Sequence, residues 1–355
     1  MTSVHWDPDL LGDGFTATTV DLGADPDGET PVVATVIRHR PDPTPPTGQA
    51  PRAAVLYVHG FTDYFFQAPL AEAFAATGFD FFALDLRKCG RSRRDGQTPH
   101  HITDLATYDA DLNAALDIVE AETGGAPVVV AAHSTGGLIT PLWLDRLRRT
   151  DPVRHARVAG LALNSPWFDL QGAPALRSYG TLLVHAVAAV APTREIPQRL
   201  PGGYGESLHV SAHGEWEYDL DLKPLGGFPV TFGFLSAVRR GHATLHRGID
   251  VGVPSLVLRS DRSVLGGPYR AEIDSADAVL DVAQIARWSG CLGNRVTVVP
   301  VPGARHDVFL SRSPARDIAY AELTDWLARA TPTLSSRRSV HAPSTGSAPS
   351  SGASS

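Results

Sequence analysis

The chain has 355 residues, 43% of them hydrophobic, and a formal net charge of −7 at pH 7, enough apolar material to bury a large core as one domain or two. The 31 basic residues are spread without a cluster, which argues against a nucleic-acid surface. Cys89 and Cys291 are too few and too separated for a disulfide framework or a cysteine metal site.

The opening MTSVHWDPDLLGDG is acidic with no apolar centre, unlike a signal peptide, and no later apolar run reaches the roughly 18 residues of a membrane span. A soluble cytoplasmic protein without an integral membrane segment is the expectation. Residues 15–21 and 32–38 alternate as two strands around the turn-rich ADPDGETP, a hairpin, and the Pro-rich loop PDPTPPTGQAP follows. From Ala53 onward short apolar runs recur: AAVLYV (53–58), FDFFAL (79–84), APVVVAA (126–132), VAGLALN (158–164), PSLVLRS (254–260) and VTVVPV (296–301). Helical spacing fills the intervals at 66–77, 103–121, 135–150, 281–290 and 314–330. This rhythm predicts an α/β fold, a mostly parallel sheet flanked by helices. It breaks between Asn164 and Pro254, so 166–250 reads as an inserted cap on a core made of 1–165 and 251–334. Within that insert, 173–192 is apolar on most sides and predicts a helix that is buried or covers an apolar cavity. Residues 335–355 have almost nothing to bury and are expected to be disordered.

Ser134 stands at the bend of VVVAAHSTGGLITPLWL, between a strand and a helix. A serine there can be a helix N-cap, or it can present its hydroxyl on a sharp turn beside unpaired N–H groups. A nucleophilic role needs a base, an orienting acid and donors for an oxyanion. His306, in the loop after the last strand, is the candidate base, although taken alone it also suits a surface histidine. His59-Gly60-Phe61 ends a strand, so the N–H groups of Phe61 and Thr135 can point at one oxygen, while Gly60 equally suits a tight turn. Asp261, Asp274 and Asp277 all follow the strand PSLVLRS. Asp261 comes first, but the loop-to-helix passage SADAVLDVAQIARW is better able to fix the direction of Asp277, and either residue can instead cap a helix. His209/His213 and His242/His246 have a four-residue spacing compatible with a metal, yet neither pair has a carboxylate signature, so no metal is expected.

The segments LYVHGFTDY, FFALDLRKCGRS, AAHSTGGLI and GARHDVFLS together resemble the α/β-hydrolase fold, and more narrowly the serine aminopeptidase S33 or lysophospholipase-like (monoacylglycerol lipase-like) family. The resemblance spans roughly 53–164 and 254–330 and is carried by the motifs jointly. It implies a catalytic triad in the order Ser134, Asp277, His306, with SADAVL matching the acid-bearing GSADRVV pattern and 262–274 as an insertion. It also implies backbone oxyanion donors at Phe61 and Thr135, and no cofactor. Two departures stand out: Lys88 replaces a glycine of DLRGHGRS, and Ala132 replaces the first glycine of G-x-S-x-G. Pro141, inside the following helix, is positioned to kink it.

The expected activity is cleavage of a carboxylic ester, on a small-molecule or lipid-like substrate. The alternatives are an aminopeptidase or amidase, for which Glu206, Glu215, Glu217 and Asp219 are available in the insert, or a non-catalytic ligand-binding homologue. The sequence leaves the oligomeric state open.

Overall fold

A computed structural model describes residues 4–40, 53–171, 174–197 and 201–338, with the side chains of 174–179 and 331–338 excepted. The Pro-rich loop, residues 41–51, lies outside this range. Among the described residues nine strands form one sheet: β1 (Asp7–Pro8), β2 (Phe15–Asp21), β3 (Val33–His39), β4 (Ala53–Val58), β5 (Phe79–Asp85), β6 (Val128–His133), β7 (Val158–Asn164), β8 (Ser255–Ser260) and β9 (Val296–Val301). Their spatial order is β1-β2-β3-β5-β4-β6-β7-β8-β9. The hairpin β2–β3 pairs antiparallel, from Phe15 opposite His39 to Asp21 opposite Val33. From β5 to β9 every neighbouring pair is parallel.

Alternating residues of the central strands explain why both faces are covered. In β4, Ala54, Leu56 and Val58 join one buried cluster, while Ala53, Val55 and Tyr57 join another on the opposite face. A strand with apolar residues in both directions cannot lie at a wetted surface, so it takes a central place in the sheet. Helices α1 (Ala68–Ala76), α2 (Asp109–Thr123), α3 (Gly136–Thr150) and the short α4 (Pro152–His155) link the first core strands. Pro300 is tolerated in β9 because that strand is the sheet's edge. Helix α3 continues through Pro141 to Thr150.

Between β7 and β8 the chain forms α5 (Pro174–Val190), α6 (Gly203–Leu208) and α7 (Phe232–Leu245); α8 (Val282–Trp288) and α9 (Ala315–Arg338) complete the fold. Helix α5 is not buried on all sides: Leu182, Leu183 and Val190 are 67%, 63% and 84% exposed. Its partner is α7, through bonds from Arg239 Nε to Thr181 Oγ1 and between His185 Nδ1 and Ser236 Oγ. One packed neighbour covers only one side of a helix, and sequence periodicity cannot count neighbours. Helix α9 extends to Arg338, four residues into the segment expected to be disordered. Once nucleated, a helix adds a hydrogen bond for each residue it orders, so it can outrun its packed face. Residues 339–355 lie outside the described range.

At the Lys88 departure a lysine takes a backbone conformation that favours glycine. Its φ of 60° is the left-handed conformation that a glycine takes readily. The buried side chain reaches back to the β2–β3 hairpin, with Nζ 2.5 Å from Asp25 and 2.9 Å from Glu29. Burial raises the Asp25 carboxyl, but the hydrogen bond and charge of Lys88 outweigh it and hold the group below its ordinary value.

Candidate active site

Strand β4 has β5 on one side and β6 on the other, so the chain direction across the sheet reverses there. Ligands of open α/β sheets bind outside the carboxyl ends of the strands at such a point. Gly60 follows β4 and Ser134 follows β6 at this edge.

Ser134 is not an N-cap. The cap of α3 is Thr135, which makes no side-chain cap bond, and Ser134 has φ 51°. This left-handed conformation is unfavourable for serine and is held by its surroundings: Ser134 N donates to Asn164 O at 3.0 Å, and Ser134 O accepts from Trp167 N at 2.9 Å. Gly136 is needed because α3 starts against the end of β4. A Cβ there would lie 2.4 Å from His59 O and 2.7 Å from Val58 O. A Cβ at Gly60 would lie 2.9 Å from the Ser134 Cβ. Ala132 is different, since it sits in regular strand backbone paired with Val58, where a methyl group is accommodated.

The hydroxyl of Ser134 lies 3.0 Å from His306 Nε2, and His306 Nδ1 lies 2.9 Å from Asp277 Oδ2. The other carboxylate oxygen of Asp277 accepts from Val279 N at 2.8 Å and Leu280 N at 2.7 Å, so its own loop fixes its direction. The 262–274 excursion explains how an aspartate so far from β8 reaches this place. Asp277 N donates to Arg262 O at 3.0 Å and Val264 N donates to Asp277 O at 2.9 Å, so the loop closes at its base and returns Asp277 beside the end of β8. Asp261 instead accepts from Gly303 N at 3.0 Å, and Asp274 pairs with Arg305 at 2.6 Å.

Among the described residues, neither Phe61 N nor Thr135 N donates to a protein acceptor. Both N–H groups belong to the turns that flank Ser134, and such unspent donors can stabilise an oxyanion.

Sequence reasoning missed the supports of His306. Asp307 is buried beside it and accepts from Asn164 Nδ2 at 2.6 Å, Phe309 N at 3.0 Å and Gln67 Nε2 at 3.3 Å. Tyr204, from α6, stands edge-on to the His306 ring at 5.4 Å and accepts from Asp307 N through its hydroxyl. Burial first, and the Asp307 charge second, push the Tyr204 phenol well above its ordinary value, so it stays protonated. Adjacency to His306 in RHD was the available signal for Asp307; Tyr204 had none, lying in the aperiodic segment between β7 and β8.

The two histidine pairs have structural partners. His242 Nε2 is 2.8 Å from Trp167 O, with Arg239 Nη1 donating to its Nδ1 at 3.1 Å, and His246 Nε2 is 2.7 Å from Phe168 O. His209 bonds Ser211 and Tyr218, and His213 stacks on Tyr269. Among the described residues no helix is long and apolar enough to cross a membrane.

The family model for serine aminopeptidase S33 matches residues 49–269. The chain belongs to the serine aminopeptidase S33 family. One relative, "Phospholipase YtpA" of Bacillus subtilis (strain 168), is 29% identical over 122 residues, which cover 34% of this chain and 43% of the relative's length. The chain thus matches less than half of that curated protein. Among solved structures, a soluble variant of monoglyceride lipase from Saccharomyces cerevisiae, in complex with a substrate analog, superposes with a TM-score of 0.60 at 16% identity, covering 93% of this chain and 96% of that one. Paleococcus ferrophilus monoacylglycerol lipase gives 0.55 at 18% identity, covering 80% and 96%. These likenesses establish the α/β-hydrolase fold for this S33 chain.

Proposed function

We propose that this S33 family chain is a serine hydrolase that cleaves a carboxylic ester through an acyl-enzyme. The observation that carries the reading is the continuous relay from Ser134 Oγ to His306 Nε2 at 3.0 Å and from His306 Nδ1 to Asp277 at 2.9 Å, on a left-handed turn. Ser134 Oγ attacks the carbonyl carbon as its proton passes to His306 Nε2. Asp277 orients the imidazole and stabilises its charged form. The N–H groups of Phe61 and Thr135 hold the oxygen of the tetrahedral intermediate. The alcohol leaves with the proton from His306, and water then attacks the acyl-enzyme by the reverse proton route.

The segment 166–250 acts as the cap, and a small-molecule or lipid-like ester is the substrate class. A phospholipase relative and a monoglyceride lipase of the same fold support that class. The amide alternative calls for a carboxylate turned toward a substrate amine. Glu206 accepts from Tyr269 N, Glu215 pairs with Arg316, Asp219 accepts from Asp221 N and Glu217 is exposed, which favours the ester reading.

Mass spectrometry after fluorophosphonate treatment, together with turnover of short- and medium-chain p-nitrophenyl esters, tests the reading. An adduct at Ser134 is expected, and Ser134→Ala should lower kcat by roughly 10⁴- to 10⁶-fold. Folded protein that gains no adduct, or a Ser134→Ala variant with intact esterase activity, would overturn it.

A further inference from the structure

The turn that carries Phe61 is held from outside the core. Thr62, Asp63 and Tyr64 follow Phe61 on the way from β4 to α1, and each has a partner in the insert between β7 and β8. Phe228 N donates to Thr62 Oγ1 at 2.9 Å, Lys223 Nζ lies 2.7 Å from Asp63 Oδ1, and Asp219 N donates to the Tyr64 hydroxyl at 2.9 Å. Phe61 itself stacks on Phe234 of α7, with ring centroids 4.5 Å apart. Thr62 has φ 51°, an unfavourable conformation for a β-branched residue. Such strain persists only where neighbours over-determine it, and here one of those neighbours is the insert.

The Lys223–Asp63 pair is the buried centre of this contact, with the two residues 7% and 2% exposed. The ammonium also lies over the Phe66 and Tyr218 rings, at 5.6 and 5.8 Å from their centroids. A buried ion pair is a weak source of net stability, because desolvation offsets most of its attraction. Its geometry is nevertheless restrictive, since moving either group leaves a buried charge without its partner. The chain has only two lysines, and this one lies in the turn-rich segment DLKPLGG.

We propose that Lys223 is a positioning residue for the oxyanion site: through Asp63 it locks the 61–64 turn so that Phe61 N–H faces the developing charge. The inference rests on the ester-hydrolase reading above. It makes the insert part of the rate-determining machinery as well as a cover over the substrate. A displaced donor weakens transition-state binding more than substrate binding, so the loss falls on kcat while KM is largely spared.

The test is the double variant Lys223→Met with Asp63→Asn, which removes both charges and so avoids stranding one of them. Thermal unfolding, kcat and KM on a p-nitrophenyl ester, and affinity for a trifluoromethyl ketone, whose adduct with Ser134 carries an oxyanion, are compared with the unaltered protein. A fold that melts near the parent temperature, with kcat and ketone affinity both lower by about 10- to 100-fold and KM within about three-fold, is the expected result. Folded double variant with kcat and ketone affinity within about two-fold of the parent overturns the proposal. Thr62→Ala provides the same comparison without touching a charge: kcat should fall, Thr62→Ser should recover most of the loss, and an unaltered kcat in Thr62→Ala would count against the proposal. A parent protein inert to both ester and fluorophosphonate defeats the underlying hydrolase reading, whereas an active parent with undiminished variants defeats only the role of Lys223.

Discussion

Arg305 and Asp274 are joined at 2.6 Å, one residue before His306 and three before Asp277. Beside it, Asp261 receives Gly303 N–H and Asp277 receives the His306 imidazole. Three aspartates thus fasten the loop after β8 to the loop after β9, and only one of them faces the His306 imidazole. Asparagine substitutions should separate these roles. Asp277→Asn should lower kcat by roughly 10³- to 10⁴-fold, because the amide disfavours the required tautomer. Asp274→Asn should cost about 10-fold or less by loosening the loop, and the exposed Asp261→Asn should change little. Steady-state kinetics on one ester checks the order, and a larger loss at Asp261 than at Asp277 would contradict it.

Gly136→Ala puts a methyl carbon 2.4 Å from His59 O, a backbone atom that cannot rotate away. We expect a loss of about 1 to 3 kcal/mol in unfolding free energy, typical of overpacking, with reduced kcat from displacement of the Ser134 turn. Ala132→Gly should be tolerated far better, as it meets no comparable constraint. Urea unfolding of the two variants measures the contrast.

Lys88→Met removes the cation between Asp25 and Glu29. Stranding a buried carboxylate typically costs about 3 to 5 kcal/mol. Adding Asp25→Asn to Lys88→Met should recover part of that loss. Equal stability of the single and double variants would show that the pair does not couple the hairpin to the loop after β5.

His242 is fully buried, and its imidazole is pushed down to about 3, by burial first and by the Arg239 charge second. The unfolded histidine takes up a proton near pH 6.5, while the folded one stays neutral until about pH 3. Between these values the unfolded chain binds more protons, so stability falls as pH drops from 6.5 toward 3 and is fully retained above 6.5. The slope from this group reaches about 1.4 kcal/mol per pH unit. Burial lowers His100 and His133 as well, adding to the same trend. His242→Gln should flatten the dependence between pH 7.5 and 5 in denaturant titrations, and an unchanged slope would exclude the assignment.

Local pattern made the core strands and the strand-turn-helix at Ser134 readable. The apolar runs at 53–58, 126–132 and 158–164 allow little besides buried strands; Ser134 follows β6 directly and His306 lies in the loop after β9, so a parallel sheet delivers both to one edge. The insert was unreadable for the opposite reason. Its place is fixed by contacts with distant residues such as Lys223 with Asp63 and Tyr204 with Asp307, and contacts of that kind leave no period in the chain.

The sequence by itself determined the α/β rhythm, the strand-turn-helix at Ser134 and the loop position of His306, because each follows from the order of apolar and turn-forming residues over a short span. The sequence favoured Asp277 without excluding Asp261, and tertiary structure showed which aspartate meets His306, since the closed excursion after β8 brings Asp277 back to the sheet while tying Asp274 to Arg305. Tertiary structure also decided that Lys88 sits in left-handed backbone and that the segment between β7 and β8 grips the turn after β4. Such outcomes depend on where charges and hydrogen-bond donors find partners in three dimensions, and a buried polar group takes whichever partner the fold brings within reach.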